Sequence, residues 1–227
     1  MGNLVREALQ LGFQVFGYEK TDRKKERDLE QAKNIERYMA AHPKEKVLIH
    51  CGWYHAIESD FPKRKRDNYM AYHLKNRLGI DPFTIYQDAL SERGVGEESP
   101  YYKAVDANEV SVLLDNKGRA FNGVSDKSHF DVLLYHPPTK YIKNRPHWLL
   151  ESGTSKFVSV DKNQILEGKY PVIVEAFPTN EKYSVPVDVI ELKDESDVSE
   201  LVLKNGSYLI RLTNTEGAVV EYLTEIE

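Results

Sequence analysis

The spacing of apolar residues in the first half of the chain predicts three helices. Apolar side chains recur there every three or four positions, as they do along one face of a helix. Gly12 and Gly79 follow two of these runs, and His42-Pro43 follows the third, so each run meets residues that commonly end a helix. The predicted helices cover residues 4–11, 27–41 and 67–78.

Shorter apolar runs lie between and after these helices and predict strands. They cover residues 13–18, 46–50, 82–86, 110–114 and 130–135. Strands that alternate with helical patterns indicate βαβ units, in which the strands pair in parallel and the helices cover the sheet. The first half therefore predicts an α/β fold with a mostly parallel sheet and flanking helices.

In the second half the pattern changes to short β-type runs separated by turn signals. The predicted strands cover residues 157–160, 172–177, 185–192, 201–203, 207–212 and 219–223. Asn205-Gly206 and Glu216-Gly217 stand between strands, where such pairs form tight hairpin turns. This spacing is typical of a small antiparallel β-sandwich. The predicted domains are an α/β domain and a β-sandwich accessory domain, over residues 1–150 and 151–227.

Composition and charge narrow the class of protein. Of the 227 residues, 41% are apolar, which is ample for a packed core, and no apolar run is long enough to span a membrane. The net charge of −5 gives no general attraction to phosphate backbones, so nucleic acid is not an expected partner. The basic run at residues 63–66 is interpreted as a solvated helix start or loop, with a patch for phosphate or carboxylate groups as the alternative. Cys51 is the single cysteine, which excludes an internal disulfide and a multi-cysteine zinc site.

Polar side chains follow several of the predicted strands, at the edge of the sheet where ligands bind in open α/β folds. The carboxyl ends of parallel strands meet at one edge, so the groups that follow them share it. These groups are Glu19, then the segment of Cys51, Gly52, Trp53, Tyr54 and His55, and then Gln87, Asp88, Asp115 and His136. We therefore expect a ligand site at this edge.

The helix over residues 27–41 adds a polar face to the expected site. Arg27, Gln31 and Asn34 recur at intervals of four and three residues, so they lie on one side of the helix. Such a face can orient a polar ligand. The alternative is a solvated face without a ligand.

The segment HCGWYH is the most distinctive in the chain. Gly52 permits a tight turn, and an imidazole is the usual general base near neutral pH and a frequent metal ligand. His55 together with Glu19 can therefore activate water or hold a divalent ion. His50 is interpreted as structural, and Cys51 as a small core residue, with a nucleophilic thiol as the alternative. The carboxylates that follow, Glu58 and Asp60, are interpreted as solvated.

The order of these motifs resembles a known superfamily. A helix that begins Arg27-Asp28 and continues through Ala32 and Asn34-Ile35 precedes a short strand and then Gly52-Trp53-Tyr54-His55. The superfamily of erythromycin esterases, ChaN haem-binding lipoproteins and TraB/Tiki proteases pairs a helix of the pattern RD/RN…MA.NI with a strand–G-x-x-H turn. The resemblance covers roughly residues 1–90 and extends more weakly to the segment FDVLLYHP.

This resemblance implies a hydrolase or a ligand-binding protein, in some members with a metal ion. By position, Arg27 and Asp28 match the helix motif, and His55 matches the histidine of the second motif. Glu19 stands where a carboxylate after a GF…E strand is expected. The superfamily also has an earlier strand with a Glu-x-His motif, and no histidine precedes Glu19 here. The resemblance therefore implies a domain that is truncated at its N-terminus or that lacks half of that site.

Three functions follow from these patterns. The first is hydrolysis of an ester, amide or peptide bond, with His55 as base or metal ligand, Glu19 as second base or ligand, and Arg27 placing an anionic group or oxyanion. The second is binding of haem, a divalent metal or another small ligand without turnover. The third is a structural fragment. A small-molecule or peptide ligand is expected to contact Asp28, Gln31, Asn34, Trp53, Tyr54, Gln87 and His136. The first residues show no signal-peptide pattern, and a periplasmic, secreted or cytoplasmic location stays open, as does the oligomeric state.

Overall fold

The computed structural model describes residues 2–19, 26–60, 68–94, 99–121, 129–165, 169–181 and 185–227. The chain divides into two compact units. One comprises residues 16–138, and the other combines the residues up to 15 with residues 139–227. The sequence pattern places a single boundary at residue 150. The basic run at residues 63–66 lies outside the described residues.

Short helices and strands alternate along the chain. The helices are α1 (Gly2–Gln10), α2 (Arg27–Ala41), α3 (Met70–Leu78) and α4 (Pro100–Lys103), with 3₁₀ turns at Trp53–Ala56, His147–Leu149 and Lys162–Gln164. The strands are β1 (Ile85–Leu90), β2 (Ser111–Val112), β3 (Val132–Tyr135), β4 (Tyr141–Ile142), β5 (Arg145–Pro146), β6 (Ser155–Val158), β7 (Val172–Pro178), β8 (Asp188–Leu192), β9 (Leu201–Lys204), β10 (Gly206–Asn214) and β11 (Val219–Ile226). Among the described residues, no helix is long and apolar enough to cross a membrane, as the sequence predicts.

The unit of residues 16–138 contains a small mixed sheet with the strand order β1-β3-β2. β1 pairs with β3 in parallel, and β2 pairs with β3 in the antiparallel sense. Every other strand pairing in the described ranges is antiparallel. The predicted α/β fold with a mostly parallel sheet is therefore wrong, because small antiparallel sheets and few helices make up the structure.

Two of the predicted strands, residues 13–18 and 46–50, form no strand ladder. A short apolar run is compatible with a strand, but it does not supply the neighbouring strand that its backbone groups must bond. The two segments meet through a side chain instead, since the Tyr18 hydroxyl donates to the backbone oxygen of His50 at 2.8 Å. Tyr18 and Ile49 also pack against the helices α2 and α3.

Helices α2 and α3 form the packing centre of this unit. α2 has the bounds that the sequence predicts, and the described part of the third predicted helix is α3, which ends before Gly79. Ala32 and Ile35 of α2 are fully buried, and they pack with Met70 and Leu74 of α3. This contact brings the first turn of α2 next to the amino end of α3, where the candidate site lies.

The other unit is antiparallel throughout its described residues. One sheet has the strand order β11-β10-β7-β8, and β6 pairs with β9 in a second, two-stranded sheet. These sheets take the place of the predicted β-sandwich, and they share one apolar core formed by Val172, Val174, Ala176, Ile190, Leu192, Leu201, Leu203, Tyr208, Ile210, Leu212 and Ile226. Glu216-Gly217 forms the predicted hairpin turn between β10 and β11. Asn205-Gly206 instead connects β9 to β10, which pair with different neighbours.

The α2–α3 contact predicts a large loss of stability for Leu74→Ala. The Leu74 side chain is 1% exposed, so its truncation leaves a cavity between the helices. We expect the free energy of unfolding to fall by about 2–5 kcal/mol, measured by urea unfolding followed by helical circular dichroism. Leu48→Ala is the matched control, because Leu48 is 76% exposed and should change stability little. Equal losses in the two variants would contradict this packing.

Candidate functional site

The imidazole of His55 bonds to the carboxylate of Asp28. His55 lies in the 3₁₀ turn Trp53–Ala56, and its Nδ1 stands 2.5 Å from Oδ1 of Asp28. The Asp28 side chain is 4% exposed and the His55 side chain 19%. An ionised carboxylate only accepts hydrogen bonds, which assigns the proton of the neutral imidazole to Nδ1 and leaves the lone pair on Nε2. An imidazole oriented in this way is arranged as a general base.

Two helix ends bring Asp28 to this position. Asp28 lies in the first turn of α2, and its Oδ1 also accepts the backbone N–H of Met70, the first residue of α3, at 3.1 Å. The amino end of a helix carries a partial positive charge, which stabilises a carboxylate there. Asp28 is therefore satisfied as an anion although it is buried. The sequence suggests contact between Asp28 and the substrate, whereas the structure places Asp28 behind His55.

Glu19, Arg27 and Gln31 form a polar clamp next to Asp28. The Arg27 guanidinium bonds to both oxygens of Glu19, with Nε 3.0 Å from Oε1, and this hydrogen bonding raises the pKa of Arg27. Nε2 of Gln31 donates to Oε2 of Glu19 at 3.0 Å. Nδ2 of Asn34 donates to the backbone oxygen of Tyr18 at 2.9 Å. The predicted polar helix face therefore exists, and its side chains attach the segment that ends in Glu19 to α2.

The predicted metal ligands, Glu19 and His55, bond to other side chains of the protein. His55 bonds to Asp28, and Glu19 bonds to Arg27 and Gln31. In the parts of the chain that the structure describes, no three His, Cys, Asp or Glu side chains are grouped to hold a metal ion. A catalytic zinc site uses three protein ligands, so the residues present do not fit one.

Cys51 lies against the α2–α3 core near Asp28. Burial raises the pKa of the Cys51 thiol to about 11, and the negative charge of Asp28 adds to this shift. The thiol therefore stays protonated near neutral pH, whereas a nucleophilic cysteine needs a lowered pKa. The packing confirms the interpretation of Cys51 as a small core residue.

Five aromatic rings form a continuous column beside His55. The aromatic column consists of Phe130, Tyr86, Trp53, Tyr54 and Tyr69. The ring centroids of Trp53 lie 3.5 Å from Tyr54 and 5.4 Å from Tyr86. Tyr54 stacks on Tyr69 at 5.4 Å, and the Tyr69 ring meets the imidazole of His55 edge-on at 6.4 Å. The sequence motif indicates Trp53 and Tyr54 only, because the other rings come from distant parts of the chain.

Gln87 lies within β1 and His136 follows β3, so both belong to the small sheet and not to the turn that carries His55. Gln87 is exposed within β1, because the strand begins later than predicted and continues to Leu90. His136 follows β3, and its backbone N–H bonds to the oxygen of Leu90 at 2.8 Å. The aromatic column contacts β1 at Tyr86, which is four residues, or roughly 13 Å along a strand, from Leu90. His136 therefore lies beside the end of β1, whereas Tyr86 lies near its start.

A second buried carboxylate, Glu58, fixes the chain just after the turn that carries His55. The interpretation of Glu58 as solvated is wrong, since its side chain is 4% exposed. Lys75 Nζ donates to Glu58 Oε2 at 2.6 Å, and the Thr84 hydroxyl donates to Oε1. The Thr84 backbone N–H donates to Asp131 at 2.7 Å. Burial raises the pKa of Glu58, and the hydrogen bonds from Lys75 and Thr84 oppose this shift.

Comparison of the chain with known proteins found no relative. No protein-family model, curated protein or solved structure was found to match the chain. The side chains of the site are therefore the basis for its chemistry.

The Glu58 network predicts a pH-dependent loss of stability for Lys75→Met. The raised pKa of Glu58 means that folding favours the protonated form of this side chain. The stabilising contribution of Glu58 to the free energy of unfolding is therefore present at low pH and is lost as pH rises through the raised pKa. Lys75 offsets the cost of the charged form, and its removal raises that pKa further. We expect a loss of about 1–3 kcal/mol near pH 8, reduced because Lys75 is partly exposed, and a smaller loss near pH 5.

Urea unfolding at the two pH values measures this difference. Lys33→Met is the control, because Lys33 pairs with Glu30 at 2.9 Å in an ion pair whose two side chains are both partly exposed. It should lose little stability at either pH. A Lys75→Met variant that loses equal stability at both pH values would show that Glu58 does not titrate as described.

Proposed function

We propose that the protein hydrolyses a carboxylic ester or amide, with His55 as the general base that activates water. The observation that carries this proposal is the 2.5 Å contact between His55 Nδ1 and the buried carboxylate of Asp28. It orients the ring and assigns the tautomer, and it leaves Nε2 without a hydrogen-bond partner among the described residues. The resemblance of the first part of the chain to a superfamily that includes esterases and proteases supports the same reaction class.

In the proposed reaction Nε2 of His55 takes a proton from a water molecule. The water oxygen forms a bond to the carbonyl carbon of the substrate, and the carbonyl electron pair moves to its oxygen. When this tetrahedral species collapses, the bond to the leaving group breaks and the proton on Nε2 passes to the leaving oxygen or nitrogen. Asp28 stabilises the imidazolium that exists between these two steps.

The proposal gives Glu19 and Arg27 a positioning role. Glu19 and Arg27 form an ion pair with each other, and both side chains are 52% exposed. Gln31, at 2% exposure, bonds to the same carboxylate. These contacts place the start of α2, and with it Asp28, relative to the preceding segment.

Binding of a small ligand without turnover is the second candidate function. The exposed rings of Trp53 and Tyr54 favour it, because exposed aromatic side chains commonly mark ligand sites. Haem and metal binding stay predictions from the sequence. Binding without hydrolysis in the experiment below would favour this candidate.

The proposed function predicts loss of hydrolysis in His55→Ala and in Asp28→Asn. Removal of a positioned general base, as in His55→Ala, lowers kcat by roughly 10²- to 10⁴-fold. In Asp28→Asn the side chain lacks the negative charge that fixes the imidazole tautomer and stabilises the imidazolium. The measurement is kcat/KM for neutral aryl and alkyl esters and for the matching amides, with and without a metal chelator. The chelator should have no effect on the rate.

His42→Ala is the matched control for these variants. His42 follows the last residue of α2, at the opposite end of that helix from Asp28, and its ring contacts Glu45 and Tyr38. It should keep the wild-type rate. If wild type shows no turnover above buffer, or if His55→Ala hydrolyses as fast as wild type with an unchanged melting temperature, the proposed function is wrong.

A further inference from the structure

Two large aromatic side chains stay exposed beside His55, although other members of the aromatic column are buried. Trp53 is 38% exposed and Tyr54 is 44% exposed, whereas Tyr69 and Phe130 are 7% and 4% exposed. Both exposed rings belong to the same 3₁₀ turn as His55. Apolar surface next to a candidate reactive group is the kind of surface that a bound ligand covers.

The geometry of the column determines which part of these rings a ligand can reach. Trp53 stacks on Tyr54 and on Tyr86, and Tyr54 stacks on Trp53 and on Tyr69. These neighbours cover part of the ring faces, so we infer that a ligand reaches the two rings from their edges. The edge of an aromatic ring carries partial positive charge and attracts the negative face of another aromatic ring. A saturated ring of equal size lacks that attraction.

Among the described residues, the charged side chains of this site are matched within the protein. Asp28 bonds to His55 and to the N–H of Met70, and Arg27 bonds to Glu19. A charged group placed against the column would have to displace one of these contacts or lose its hydration without compensation. As far as the described residues determine it, the surface beside His55 therefore suits an uncharged group.

We propose that the edges of Trp53 and Tyr54 bind an uncharged aryl group of the substrate, carried next to the bond that His55 hydrolyses. This inference rests on the proposed function and narrows it to neutral aryl-bearing esters or amides. The two rings are held by their stacking neighbours, so little freedom is lost when the ligand binds. The aryl face meets the ring edges in a T-shaped arrangement.

The first test compares benzyl acetate with cyclohexylmethyl acetate, which differ in the aromaticity of a ring of similar size. Wild type should hydrolyse the benzyl ester with a kcat/KM roughly three- to tenfold higher. Trp53→Leu and Tyr54→Leu should each reduce this ratio towards the ratio of the uncatalysed hydrolysis rates of the two esters. Tyr141→Leu is the control, because Tyr141 is 67% exposed on β4 and should keep the wild-type ratio. A ratio within one enzyme does not depend on how much of that variant is folded.

The second test measures binding without turnover. The chain has two tryptophans, so Trp148→Phe leaves Trp53 as the single indole reporter. Benzyl alcohol should change its fluorescence saturably, with a Kd three- to tenfold lower than that of cyclohexylmethanol. Binding with this preference but no hydrolysis of either ester would overturn the hydrolase and support the aryl site. Hydrolysis of both esters with equal kcat/KM would overturn the aryl site and leave the hydrolase standing, and equal binding of the two alcohols would also overturn the aryl site.

Discussion

The unit of residues 16–138 depends on how the buried carboxylate of Asp28 is satisfied. An unpaired buried anion costs several kcal/mol, so its partners must stay in place while the unit is folded. Its partners include the backbone N–H at the amino end of α3 and the imidazole of His55. A single side chain therefore links the two helices of the core to the turn that carries the candidate base. The orientation of His55 follows from the same contacts that stabilise the fold.

The buried carboxylate of Glu58 also needs partners, and its partners differ from those of Asp28. It lies three residues after His55 and is as buried as Asp28, but its partners are the ammonium of Lys75 and the hydroxyl of Thr84. The turn between the two carboxylates is thus anchored on both sides, to α2 through His55 and to α3 through Lys75. Stacked rings hold the side chains of the turn itself. A catalytic group gains from such support, because small misplacements of a base cost large factors in rate.

The sequence predicts the helices of this unit well and its sheet poorly. α2 keeps a regular apolar spacing and meets His42-Pro43, and α3 ends at Gly79, which adopts a positive φ of 69°. Both signals are local, so they can be identified without knowing the fold. A strand needs a partner from elsewhere in the chain, and the runs at residues 13–18 and 46–50 find none among the described residues. Apolar periodicity carries no information about that partner.

The candidate site likewise has residues that the sequence indicates and contacts that it does not. Imidazole chemistry and the glycine before the turn single out His55, and the family resemblance singles out Asp28. Their pairing is not visible in the sequence, because it joins residues 27 positions apart through the packing of α2 on α3. The rings of Tyr69, Tyr86 and Phe130 are missed for the same reason, since each arrives from a different element.

The protonated thiol of Cys51 bears on the order of bond formation in the proposed reaction. Its raised pKa removes it as a nucleophile near neutral pH, although it lies close to Asp28. Water activated by His55 must then attack the carbonyl directly, without a covalent intermediate on that thiol. Direct attack requires water and carbonyl carbon to be held together at the same moment, since no bond to the enzyme retains the substrate. Noncovalent contacts must therefore hold the substrate, and the stacked rings of Trp53 and Tyr54 offer exposed apolar surface in the same turn as the base.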